Sequence, residues 1–321
     1  MIGYNEYQNT VPLPRRRAYF VFGGDDDMAE KFVLEGLNVK FDITYNSGAL
    51  FPVASFGICN LNSAHLAYLT NFFGIANPKH HNRPLQFYAG YYDKNSVLTA
   101  PAVPLLYRGK VLLTGITMPP DIWLNIQALA SGNIHDQKIQ IGLRGDFSVY
   151  QIAQEVAGRF GLALDWRATN MSAGLKIIRN FSCDGTGHQF AQKLNDLTRQ
   201  LVFSSDGVRL RVLDRFPNFA NRMVATWKVD ASHAMIGEPR FNYIGAQVDT
   251  LLNPNIQAGD FVELKSKYQP AGDGIYVIRS LRHHGELRGN DFNTTLDLSR
   301  PNGIGANTIT YNYTSSTAAQ A

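Results

Sequence analysis

From Leu37 to Tyr45 every second residue is apolar: Leu37, Val39, Phe41, Ile43 and Tyr45 alternate with Asn38, Lys40, Asp42 and Thr44. A period of two belongs to a strand with one buried and one wet face, because successive side chains on a strand point to opposite sides. The pattern returns in Leu85, Phe87, Ala89 and Tyr91, and again in Ile122, Leu124, Ile126 and Ala128. Asn46-Ser47-Gly48 supplies a turn, Ala54 to Leu61 reads as another strand, and Pro119-Pro120 interrupts the chain. Leu105 to Ile116 carries Arg108-Gly109-Lys110 between two apolar halves, which reads as a turn or bulge. A short helix fits after Asn62 or Ser63, with Leu66, Leu69 and Phe73 on one face. Many short strands with one short helix indicate a small barrel or sandwich.

The period changes near residue 136. Ser148 is a cap for a helix carrying Ile152, Val156 and Phe160, and Gly161 ends it. Leu162 to Trp166 reads as a strand. A second helix carries Phe190, Leu194, Leu197 and Leu201, and Asp206-Gly207 between two apolar runs signals a hairpin. The two helices open on an echo, Gln151-Ile152-Ala153-Gln154 against Gln189-Phe190-Ala191-Gln192, which is either a local duplication or chance. From Met223 the chain turns β again, with Gly/Asp turns before Phe261 to Lys265, Ile275 to Leu281 and Asn293 to Ser299, a meander. The order is therefore β, then α+β, then β.

Composition narrows the classes. Charged residues make up 17% of the 321, so much of the surface is neutral and polar or covered by partners. The net charge of +4, with Lys and Arg spread along the chain, gives no footprint for nucleic acid. The 12% aromatic content suits both a large β core and protein interfaces. Cys59 and Cys183 read as free thiols in a reducing cell. No apolar run approaches a membrane span, and no signal peptide is expected around Arg15-Arg16-Arg17.

Catalytic patterns are missing from the text of the chain. Gly185-Thr186-Gly187 lacks the rest of a phosphate loop and reads as the loop before the second helix. Asp25-Asp26-Asp27 lacks the glycine and terminal glutamate of a calcium loop. His80-His81 and His283-His284 are neighbours whose rings point to opposite faces on a strand, so one exposed imidazole each is expected and no metal. Cys183 and His188 lack a third orienting group. Glu155, Asp165 and Asp214 read as turn and helix-face carboxylates. No catalytic, cofactor-binding or metal residue is assigned, and no enzyme activity is expected.

The closing segment carries a resemblance. Leu252-Asn253-Pro254-Asn255-Ile256-Gln257-Ala258-Gly259-Asp260 leads into Phe261-Val262-Glu263-Leu264. Then come Gly274-Ile275-Tyr276-Val277-Ile278, a turn at Arg282-His283-His284-Gly285, and Phe292-Asn293-Thr294-Thr295-Leu296-Asp297-Leu298. With Leu106-Tyr107-Arg108-Gly109-Lys110-Val111 and Phe147-Ser148-Val149-Tyr150-Gln151-Ile152-Ala153, these stretches resemble the baseplate hub proteins of contractile-tailed phages, which are related to the spike base of type VI secretion systems.

The resemblance implies a fold that is mainly β with a smaller α+β unit: two small β-barrel domains with an inserted α/β domain. Residues 1–30 read as an extended arm, because Pro12 and Pro14 break regular structure and the polar start offers little to bury, and the resemblance sets a first tube-like barrel at 31–135 and the inserted domain at 136–215. A second barrel at 216–300, equivalent to the first, completes it, and 301–321, rich in Ser, Thr, Asn, Gly and Ala, reads as a flexible tail. The resemblance further implies a homotrimeric ring adapting a six-fold tail tube to a three-fold central spike. Expected partners are the chain itself, tube or tube-initiator protein, spike, baseplate wedges and tape measure, with DNA only passing through the channel. The implied place is the virion, after assembly in the host cytoplasm, and no cofactor is implied. Competing expectations are a cell-wall binding or degrading tail component with a glycan-binding 136–215 unit, a tail-tube or secretion-spike protein, and a nucleic-acid binder.

Overall fold

The computed structural model describes residues 15–23, 32–46, 52–70, 84–92, 103–117, 120–130, 138–168, 171–205, 208–214 and 227–300. Expectations for residues 1–14, Asp25-Asp26-Asp27, Ser47-Gly48, Phe73, His80-His81, Asp206-Gly207, Met223 and 301–321 lie outside these residues.

The first β unit consists of β1 (Arg15–Phe22), β2 (Phe32–Glu35), β3 (Val39–Asn46), β4 (Val53–Cys59), α1 (Ser63–Thr70), β5 (Pro84–Tyr92), β6 (Leu105–Thr117) and β7 (Trp123–Leu129). The apolar members of each alternation point inward: Val39, Phe41 and Ile43, then Leu85, Phe87 and Ala89, then Leu124, Ile126 and Ala128 are all buried. The strands run in the order β3-β4-β7-β6-β5-β1-β2. Phe20 of β1 nevertheless meets Phe56 of β4 edge-on with ring centroids 5.2 Å apart. Strands so distant in the ladder touch only if the sheet curls around its core, and Phe87 sits between them against Phe20, Phe41 and Phe56. Each such fully buried ring contributes about 2–3 kcal/mol.

Two expectations change here. Arg15–Phe22 is a strand of this sheet and not part of an arm: it pairs with β5 along its whole length and with β2. Its arginines are accommodated because Arg16 donates to the Gly289 carbonyl at 2.7 Å while stacking over Phe292, and Arg17 pairs with Glu35 at 2.5 Å. Arg108-Gly109-Lys110 is no turn. The strand runs through it, and the irregularity falls at Leu112, between Val111 and Leu113.

The α+β unit holds β8 (Ile139–Gly142), β9 (Asp146–Ser148), α2 (Val149–Arg159), β10 (Ala163–Trp166), α3 (Met171–Gly174), β11 (Ile177–Arg179), β12 (Ser182–Gly185), α4 (Gly187–Thr198), β13 (Leu201–Ser205) and β14 (Arg209–Asp214). Ser148 caps α2 and the Gln151 side chain returns the bond, a reciprocal capping box. Thr186 and Gln189 form the same box at α4, so the two echoed glutamines hold one position in two equivalent starts. Gly161 takes φ +68°, the left-handed conformation that ends a helix at little cost to glycine. Leu201 belongs to β13, because α4 stops where Arg199 turns left-handed. β13 and β14 form the expected antiparallel pair, and β10 adds to β14 in parallel.

The second β unit contains β15 (Trp227–Val229), β16 (Met235–Phe241), β17 (Gly245–Leu251), β18 (Phe261–Leu264), β19 (Gly274–Glu286) and β20 (Phe292–Ser299). It too curls back. Ser266, just after β18, donates to Glu238 of β16 at 2.7 Å, although three strands separate β16 from β18 in the ladder. Arg282-His283-His284-Gly285 lies within β19 and is not a turn: it pairs with β20 on one side and β3 on the other. That β3–β19 ladder joins both β units into one thirteen-stranded sheet. The fold is mainly β with a smaller α+β unit, and each of the three units has its own apolar core.

Candidate assembly face and the junction of the three units

Across the β3–β19 seam eight strands lie side by side in the order β16-β17-β20-β19-β3-β4-β7-β6. Their outward positions follow from the register. They include Arg240 and Asp249, Asp297 and Thr295, Arg282, His284 and Glu286, Lys40 and Asp42, Ser55, then Asn125 and Gln127. Charges on this face are matched within it. Arg282 donates to Asp42 at 2.7 Å, Lys40 lies 3.7 Å from Glu286, and Arg240 lies 3.8 Å from Asp249. These pairs are solvated and each contributes little to stability. Their effect is to leave a broad polar wall without a strong field.

The sheet's edges differ. β16 carries Pro239 and a register break between Ile236 and Arg240, devices that blunt an edge against further pairing. β2 is four residues long. The far half of β6 has neither guard. Among the described residues no strand pairs with Leu113–Thr117 on the side away from β7, and Leu112, Leu113 and Ile116 are 59%, 58% and 45% exposed.

A polar cluster locks the α+β unit to the second β unit. Arg167, just after β10, donates to Asp260 and to Gln257, each at 2.6 Å, and to Asp165 at 3.0 Å. Arg211 of β14 donates to Asp165 at 3.2 Å and Gln257 at 3.1 Å, and the Trp227 indole donates to Asp260 at 3.0 Å. Gly259 sits in the loop between Gln257 and Asp260 with φ +91°, and a Cβ there would collide with Leu213 of β14, so glycine lets the two units close. Burial pulls the Asp165 carboxyl upward, but the hydrogen bonds and charges of Arg167 and Arg211 outweigh it and hold it below the usual carboxylate range.

His283 is buried and His284 is half-buried on the opposite face of β19, so the two rings point apart as expected of strand neighbours. His283 Nδ1 lies 2.8 Å from Thr294 Oγ1, which also accepts the Asn253 N–H at 3.2 Å. Burial, then the neighbouring His284, depress its pKa to about 3. The sign follows from proton counts. Between about pH 6.5 and pH 3 the unfolded chain binds a proton that the folded chain refuses, so stability falls as pH drops through that window. His283→Gln is expected to flatten this acid sensitivity. Denaturant midpoints at pH 7 and pH 4.5 check it, and an equal acid loss in both proteins counts against it.

Of the remaining sequence candidates the His188 side chain lies outside the described residues, and the described ones do not assemble into a reactive centre. Glu155 pairs with Arg159 on α2, Asp165 belongs to the arginine cluster and Asp214 ends β14. Burial pushes the Cys183 thiol upward, away from a nucleophile's range. Among the described residues no group of three or more metal ligands forms. One grouping had gone unmarked: Asp230, Ser232 and His233. Here a single nitrogen, His233 Nδ1, faces both the carboxylate at 2.8 Å and the hydroxyl at 3.1 Å. A base relay uses opposite ring nitrogens for those partners, so the three residues make a tight turn and not a triad.

Residues 20–298 match a family model described as baseplate hub gp41. No curated protein matches the sequence. Among solved structures, a tail protein from Neisseria meningitidis MC58 superposes with a TM-score of 0.57 at 10% identity, covering 89% of this chain and 97% of that one. The 43 kDa tail protein of prophage MuSo2 from Shewanella oneidensis gives 0.57 at 12% identity, covering 89% and 97%. An E. coli type VI secretion component, described as structurally similar to the T4 bacteriophage tail proteins gp27 and gp5, gives 0.50 at 9% identity, covering 84% and 74%. At these identities the likeness is one of fold.

Proposed function

The chain belongs to the baseplate hub gp41 family of phage tail proteins, and on that premise we propose that it is a non-enzymatic hub that closes into a homotrimeric ring around a channel. The division into a first barrel that begins with β1 and runs to residue 135, an inserted unit at 136–215 and a second barrel at 216–300, with the two barrels equivalent, is part of this reading. So are the tail tube or its initiator, the central spike, the wedges and the tape measure as partners, and assembly in the host cytoplasm.

The observation that carries it is the eight-stranded face. Each β unit supplies four adjacent strands, β3, β4, β6 and β7 from one and β16, β17, β19 and β20 from the other. Three protomers then present six similar blocks, which suits contact with a six-fold tube on one side and a three-fold spike on the other. Twenty-four strands spaced by ~4.8 Å give a cylinder roughly 115 Å around and about 37 Å across before strand tilt widens it. Its inner surface is the charge-matched polar wall, over which a polyanion slides without being held. A head-to-tail contact between identical protomers closes when its rotation divides the circle.

The test is the shape of the purified protein, with and without its spike. Negative-stain images and mass photometry are expected to show a three-fold ring of about three times 35.7 kDa. A monomer at micromolar concentration in the presence of the spike overturns the proposal.

A further inference from the structure

The unguarded half of β6 has the form of a template for one more strand. Among the described residues, 113–117 pair with β7 on one side and with no strand on the other. The N–H and C=O groups along such an edge can pair with another chain as readily as with water. The side chains favour a chain. Leu113 and Ile116 expose apolar surface on opposite faces of the ladder. Gly115, on the face of Leu113, has nothing within 4 Å of where a Cβ would stand. A bare glycine on an edge strand is a gap that an aromatic ring from an adjacent strand can cover.

Residues 301–321 contain a segment that matches this edge. They hold no Asp, Glu, Lys or Arg, in a chain that is 17% charged. Within them Ile309, Tyr311 and Tyr313 alternate with Thr308, Thr310, Asn312 and Thr314. That is the period of two of a strand, written largely in residues that favour strands. Pro301, Gly303 and Gly305 separate it from β20. Its starting point is fixed, because the Arg300 N–H donates to the Ile244 carbonyl at 3.0 Å, in the turn between β16 and β17. The segment therefore sets out from the β16–β17 end of the eight-strand face, the end away from β6.

We propose that residues 308–313 of one protomer add as a strand to residues 113–117 of the next, with Tyr311 over Gly115. The inference rests on the ring reading, in which the β16 end of one protomer stands beside β6 of its neighbour. Because β16 is two strands from β20, the neighbour's edge lies roughly 15 Å across the face from β20. The protomer's own β6 is five strands away, roughly 24 Å. Eight residues lead from Arg300 to Thr308 and reach up to about 27 Å, so the neighbour's edge is the shorter route. Main-chain bonds would hold the added strand and its alternate side chains would select it, as in other cases of strand addition. It supplies at the seam the backbone pairing that Pro239 and the break in β16 withhold.

A chain stopped after Arg300 tests this against the full chain, by sedimentation and hydrogen exchange. No described residue is removed, so Tm is expected to stay within a few degrees. The ring is expected to come apart at a concentration at least ~10-fold higher, and the 113–117 amides to exchange at least ~10-fold faster. Should the shortened chain fail to fold, Ile309→Asp with Tyr311→Asp in the full chain is expected to give the same two losses. A ring that forms in the full chain and is unchanged in both measures by these variants sinks this inference and leaves the ring standing. A full chain that is monomeric with its spike sinks both. A short bis-maleimide on the Gly115→Cys, Tyr311→Cys chain is expected to give covalent oligomers that the parent, with Cys59 and Cys183 alone, does not. A link confined to single chains, or no added link, overturns the exchange between protomers.

Discussion

Arg167→Ala is expected to destabilise the protein by about 3 kcal/mol and to loosen the α+β unit from the second β unit. The side chain makes bonds to Asp165, Gln257 and Asp260, and so joins the two carboxylates directly. Asp260 is 9% exposed and loses its cationic partner, retaining the Trp227 indole and the Gln257 N–H. Breaking a buried pair from one side costs about 3–5 kcal/mol, and the 30% exposure of Arg167 moves the figure to the lower end. Arg167→Lys keeps the charge without the fork that reaches three acceptors, and is expected to recover less than half of the loss. Denaturant unfolding gives the magnitude. Hydrogen exchange gives the place, with faster exchange expected in β10, β14 and the 257–260 loop. A variant with an unchanged midpoint and unchanged exchange removes the cluster from any account of how the units are held.

That cluster was the part of the molecule least legible in the sequence. Arg167 and Asp260 are 93 residues apart, and neither the residue types nor their local spacing points from one to the other. The strands were legible wherever one face meets a core and the other meets water, as in β3, β5, β7 and β20, because burial then writes a period of two into the text. The helix starts were legible for a local reason, since Ser148 and Thr186 bond within their own first turns.

Where polar residues sit inside strands, the text misleads. Arg15-Arg16-Arg17 looks like an exposed run, yet two of those side chains find Gly289, Phe292 and Glu35 across the fold. Arg108-Gly109-Lys110 looks like a turn, yet the buried Gly109 leaves space that the Tyr107 ring of its own strand and the Leu129 carbonyl across the ladder occupy. His283-His284-Gly285 looks like another turn, but a buried hydrogen bond to Thr294 supports it as strand. The β3–β19 seam was invisible for a different reason. Its partners are brought together only after the α+β unit has been inserted between them, and no local pattern encodes a pairing at that distance.

If the protomers close into the proposed ring through the far half of β6, Leu113→Lys together with Ile116→Lys is expected to abolish it while leaving the fold intact. Both side chains are already about half exposed, so the monomer loses little on their replacement and Tm is expected to move by no more than a few degrees. The proposed ring loses much more. On the unguarded half of β6, Leu113 points to the outward face opposite Gln127 and Ile116 points to the core side opposite Leu124, so the edge offers apolar surface on both sides of the ladder. At the opposite end of the eight-strand face Ile236, Ile244 and Leu251 are 38%, 41% and 44% exposed and offer apolar side chains to such a contact. Pro239 and the break in β16 limit backbone pairing there, so side-chain packing carries the contact. Burying two such side chains is worth about 3 kcal/mol or more, and two buried ammonium groups add a penalty of similar size. Each interface therefore weakens by at least ~100-fold, and three interfaces must close at once. Sedimentation of parent and variant at equal concentration reads the result directly. A variant that still sediments as the ring shows that the protomers meet through another surface, whereas a variant that unfolds shows that this edge belongs to the core of the chain itself.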